Sequence, residues 1–342
     1  MIELKRDSMV FTFPEVHPDA KLKIDFQRTL RIPDDDNDYS LPPGLGEFPL
    51  RHVDDFSNNV PQSWIEHGGV MLPMYQSEAM WLSFSSDYLD EHDTEYPFAV
   101  KIATGKINAV TGSEWNNSIN KNPQDYMVIP EQPWLDGYCV EKGIIRQFVA
   151  MPLGSGYSTE EQITGKGKHG GLQIMVYPMK RKAFDRRFPK QEHSEMLMDF
   201  CLAEESCALS SPDMGLAPGG RMKQEIYDDP FGINDWDIDN TSRCFVHITN
   251  SLVWRAITDQ EPPTIPLTSE EYTRQGFPWF DYYNDQSVAL NGSKTLNDLK
   301  SIIRLGKEKS ENPLPENESV IPEKVIKIKG GMKKHQVREG SF

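Results

Sequence analysis

Alternation of apolar and polar residues dominates the first two thirds of the chain. In LKIDFQRTLRI, residues 22–32, Leu22, Ile24 and Phe26 alternate with charged positions. That two-residue period is the mark of a strand with one buried face. Val70–Tyr75, Ala79–Ser85, Phe98–Ala103, Ile107–Val110, Ile144–Met151, Leu172–Tyr177, Met222–Tyr227 and Arg243–Thr249 are further short β-prone runs. Thr104-Gly105-Lys106, set between two of them, predicts a hairpin.

Helical periodicity is sparse. Residues 60–67 predict one short helix, capped by Asn59 and ended by Gly68. Ser158-Thr159-Glu160-Glu161 and Thr268-Ser269-Glu270-Glu271 carry capping-box spacing. Residues 192–208 and Thr295–Leu305 have apolar stripes at helical spacing, the second placed to stop at Gly306. The regular strand–helix alternation of parallel α/β folds is missing. The expected fold is therefore α+β and mainly β: antiparallel, sandwich-like sheets with a few peripheral short helices. One domain is expected over residues 1–306. Its last part, 262–306, includes Phe277-Pro278-Trp279-Phe280-Asp281-Tyr282-Tyr283 and reads as an aromatic and helical cover. Residues 307–342 are poor in large apolar groups and read as a flexible tail, although Val325, Ile326 and Ile328 have the make-up of a short added strand.

Charge narrows the range of partners. Asp and Glu total 52 against 36 Lys and Arg, a net −16, which repels a nucleic-acid backbone. The N-terminal MIELKRDSMVFTFPE has no apolar stretch of signal-peptide length, and no run is long enough to span a bilayer. Four cysteines without C-x-x-C spacing fit reduced thiols, so a soluble cytoplasmic protein with no membrane partner is expected. A basic run from Lys180 to Lys190 on an acidic chain suits self-association.

Two segments echo each other. His67-Gly68-Gly69 precedes Val70-Met71-Leu72-Pro73-Met74, and His169-Gly170-Gly171 precedes a strand that also closes on Pro178-Met179. A third pair, Gly219-Gly220, precedes Arg221. Glycine at such turns supplies positive φ. Gly165-Lys166-Gly167-Lys168-His169-Gly170 spells G-x-G-x-x-G, but a helical turn precedes it and a strand follows, the reverse of a dinucleotide fingerprint. What survives is a loop whose N–H groups, with Lys166 and Lys168, suit a small anion.

No metal-ligand spacing links the histidines, and Asp235–Asn240 lacks the glycine and distal glutamate of a calcium loop. Cys244 and His247 fall on opposite faces of one strand. No metal site is expected, and the sequence leaves any cofactor unknown. Two functional expectations follow. One is a non-catalytic binding or assembly protein. The other is an enzyme, a hydrolase or anion-handling catalyst, with His67 and His169 as catalytic candidates and Lys166, Lys168 and Arg221 as ligand-binding ones. A shared pocket at the two His-Gly-Gly turns separates the second from the first.

Overall fold

The computed structural model describes residues 1–190, 213–284 and 286–330. Eleven strands carry the architecture. They are β1 (Ile2–Lys5), β2 (Ser8–Thr12), β3 (Lys21–Leu30), β4 (Arg51–His52), β5 (Val70–Pro73), β6 (Glu78–Ser86), β7 (Phe98–Thr104), β8 (Ile144–Pro152), β9 (Leu172–Pro178), β10 (Met214–Lys223) and β11 (Ser242–Thr249). One sheet runs in the order β1-β2-β3-β6-β8-β10, the other in the order β7-β9-β11-β5-β4. Their facing sides share a single apolar core. Leu22, Ile24 and Phe26 of β3 meet Phe98, Val100 and Ile102 of β7, Ile174 and Val176 of β9, and Val246 and Ile248 of β11. The chain is thus α+β and mainly β, as expected. Most pairings are antiparallel, but β11 and β5 pair in parallel, so the sheets are mixed.

The outer face of the second sheet has its own cover. Met71 of β5 packs with Val53, Phe56 and Trp64, and with Val253, Trp254 and Ile257 of a later helix. Trp64 belongs to α1 (Gln62–His67), which closes over this face. Among the described residues no helix is long and apolar enough to cross a membrane.

Several local expectations are corrected. Gly219 and Gly220 do not form a turn; they lie inside β10. A Cβ at Gly219 would meet Val149 Cγ2 at 2.6 Å, and one at Gly220 would meet Pro33 O at 2.4 Å. The strand therefore needs bare backbone there, and the run expected at Met222–Tyr227 starts earlier, at Met214. The Thr295–Leu305 helix is two helices, Lys294–Asn297 and Ile302–Lys309, because the Ser301 side chain accepts from Arg304 N and begins a new one. Gly306 sits inside the second helix, which ends at Lys309 with Ser310 as its left-handed cap. Thr268 forms its capping box as expected. The helix expected at 192–208 lies outside the described residues.

Residues 307–330 run along the body. Leu314 and Val320 are buried, Arg31 Nη2 donates to Glu316 O at 2.5 Å, and Val325–Lys329 pairs in parallel with Trp279–Tyr283. In the aromatic run, Trp279 is fully buried while Phe277 and Tyr283 are exposed.

Candidate functional site

The site is organised by β11. β9 lies on one side of it and β5 on the other, and Leu172, Val246 and Val70 share one row. From that row β9 and β5 run in opposite directions, so both His-Gly-Gly turns cross β11 near Phe245 and Val246. The glycines are what allow this. A Cβ at Gly69 would stand 2.1 Å from Phe245 O, and one at Gly171 would stand 2.4 Å from Val246 O. His67 and His169 are thereby brought to a ring-centroid separation of 6.5 Å.

The His169 turn is held from inside. Ser158 caps α2 (Thr159–Thr164), which places the buried Glu160 against the following loop. Its carboxylate accepts from the backbone N–H groups of Lys168 at 2.9 Å, His169 at 2.9 Å and Gly170 at 2.9 Å. The G-x-G-x-x-G loop therefore cradles an anion, and that anion is Glu160. Lys166 and Lys168 are exposed on this loop. Gln173 joins the loop to its neighbour: its Nε2 donates to Gly170 O at 2.9 Å, and its Oε1 accepts from Lys106 N at 2.5 Å.

A ring stack runs beneath the turns. His67 lies flat on Phe245 at 4.6 Å, Phe245 on His247 at 4.4 Å, and His247 on Trp64 at 4.3 Å. Trp64 Nε1 then donates to Asp213 Oδ1. His247 is buried and its Nε2 faces Gly68 O at 3.1 Å, so the neutral ring donates there. Burial pushes its pKa down to about 3 and pushes that of Asp213 up to about 6. His67 and His169 are held below the usual histidine range, first by burial and then by the positive charge of Lys106. Both rings are neutral at pH 7.

Beside the stack is a cavity of about 650 Å³, within the range of small-molecule sites. His67, Phe245 and Trp115 supply flat faces, and Ile2 and Leu4 of the β1 edge supply an apolar floor. Trp115 is fixed from below. Lys101, fully buried, lies 5.5 Å from its ring and donates to Asn116 Oδ1, Ser118 O and Asp125 Oδ2 at 3.0, 2.6 and 2.8 Å. Four charged side chains line the cavity: Asp54, Glu66, Lys106 and Arg243. None makes a side-chain hydrogen bond or ion pair among the described residues. Cys244 also lines it, but burial pushes its thiol up to about 12, so no thiolate is present at neutral pH.

The sequence-stated candidates divide accordingly. His67 lines the cavity and His169 stands next to it. Arg221 is elsewhere: it lies seven residues along β10 from Met214, whose carbonyl accepts from Gly171 N, a distance of roughly 23 Å. There its guanidinium is held by Glu141 at 3.1 and 3.2 Å and by Asp38 at 2.7 Å. Lys106 and Arg243 escaped sequence reasoning. One signal was available for Lys106. Both central residues of its two-residue turn have positive φ, 53° at Gly105 and 62° at Lys106, and a lysine there is out of place. Among the described residues no group of three or more His, Cys, Asp or Glu is arranged to hold a metal. The chain matches no protein-family model, no curated protein and no solved structure, so the site is read from its own geometry.

Proposed function

We propose that this chain binds a small molecule bearing an anionic group in the cavity between β11, α1 and the 106–117 loop. The observation that carries this reading is the pair Lys106 and Arg243. Both line one cavity, and neither is matched by an acidic partner among the described residues. Charges left unpaired in a concave, partly apolar site gain most when a ligand supplies the counter-charge. Aromatic faces next to them suit a flat or apolar group on the same molecule. Binding is favoured over nucleophilic catalysis. The thiol in the cavity is protonated, and no serine or threonine lines it.

The test is calorimetric titration of the full chain with phenylacetate and with inorganic phosphate. At least one is expected to bind. Arg243→Ala and Lys106→Ala are each expected to weaken that binding about tenfold, the worth of one charge-assisted hydrogen bond. Binding that is indifferent to both substitutions refutes the reading.

A further inference from the structure

The lining charges of this cavity are of both signs, and Arg243 stands apart from the acids along β11. Arg243 lies on β11, and Lys106 lies in the turn that follows β7. Asp54 and Glu66 lie where β5 begins. Val53 N donates to Gly69 O just before Asp54, and Glu66 directly precedes the His67-Gly68-Gly69 turn. Opposite charges that line one cavity without pairing leave it dipolar.

A second observation comes from the sheet. β5 starts at Val70, opposite Val246. The earlier part of β11, from Ser242 to Phe245, pairs with β9 on one side and, among the described residues, with no strand on the β5 side. Arg243, Cys244 and Phe245 of this stretch all line the cavity. Gly69 still crosses this edge at Phe245, so the row that β5 would occupy if it were longer is open alongside Ser242, Arg243 and Cys244, where β11 offers backbone N–H and C=O groups. The acids stand at one end of that row and Arg243 further along it.

We propose that the occupant is a short peptide with free termini, seated along the open edge of β11. Its ammonium faces Asp54 and Glu66, and its carboxylate faces Arg243. The free edge supplies main-chain hydrogen bonds of the kind an added strand makes. The dipole fixes the direction of the peptide, and the faces of His67, Phe245 and Trp115 take a side chain. Two or three extended residues span about 7–10 Å, which suits a cavity of about 650 Å³. This inference rests on the reading above and adds a cationic end and a peptide backbone to it.

The experiment titrates the full chain with tripeptides Ala-Xaa-Ala, where Xaa is Phe, Leu, Lys, Asp or Ala. The best of them is repeated as its N-acetyl and its C-amide forms, beside phenylacetate. The free peptide is expected to bind at least tenfold more tightly than either blocked form. The double variant Asp54→Asn with Glu66→Gln is expected to erase the penalty of acetylation while keeping that of amidation. Arg243→Ala is expected to do the reverse. All three side chains are exposed, so these variants fold, and thermal melts check it. Phenylacetate binding as tightly as the best tripeptide overturns the peptide assignment and leaves the anionic reading standing. Indifference to acetylation overturns the dipolar assignment. Failure of every compound, phenylacetate and phosphate included, overturns both.

Discussion

The Gly165–Gly170 loop and the cavity beside it are made of similar material, turns with lysines near a histidine, yet they hold their charge in opposite ways. In the loop, the backbone donors of Lys168, His169 and Gly170 are taken up by Glu160, which the preceding helix delivers. In the cavity, the side chains of Lys106, Arg243, Asp54 and Glu66 make no hydrogen bond or ion pair among the described residues. The difference is one of folding energetics. A buried N–H must find an acceptor within the chain, whereas a partly exposed side chain can wait in water for one. A motif rich in glycine and lysine is therefore poor evidence of a ligand until its donors are accounted for.

The largest test of this contrast removes the internal anion. Glu160→Ala strands three N–H groups and is expected to lower stability by roughly 3–5 kcal/mol in urea unfolding. Glu160→Gln keeps one oxygen and is expected to cost less. Equal stability of wild type and Glu160→Ala would mean that the loop does not depend on its acid.

The next concerns the ring stack that joins loop and cavity. His247 has a folded pKa near 3 and an unfolded value of 6.5, so the folded state binds fewer protons below pH 6.5. Its contribution is complete above pH 6.5 and is lost as pH falls from 6.5 toward 3. At pH 5 the loss is about 2 kcal/mol. His247→Phe, which keeps a ring in the stack, is expected to flatten the fall in stability between pH 7 and pH 5. Parallel pH profiles for the two proteins would show that His247 is not the group responsible.

The smallest effect separates stability from binding at a single residue. Lys106 has φ 62°, and glycine accepts that conformation at lower cost. Lys106→Gly is expected to raise stability by about 0.5–1 kcal/mol while it weakens anion binding. A loss of stability would indicate that the lysine serves the fold.

The strands were legible wherever alternation met a buried face, as in Leu22, Ile24 and Phe26 or in Val246 and Ile248. β10 was not, because Gly215, Pro218, Gly219 and Gly220 resemble a turn in one dimension. Their fitness for a strand depends on Val149 and on the backbone of Pro33, residues far away in sequence. The approach of His67 to His169 was foreshadowed by the repeated His-Gly-Gly. Arg243 was not foreshadowed. Its place at an open edge depends on β5 beginning only at Val70, and nothing near Arg243 in the chain records where another strand begins.

Gln173 holds Lys106 by its backbone and the His169 turn by a carbonyl, using one amide for both. Two loops tied to the same rigid group have little freedom to open separately. A ligand bound as proposed above then meets a mouth already at its working width, and its association in a stopped-flow trace should follow one exponential. Its rate should rise linearly with concentration, set by encounter and with no plateau from a slow opening step.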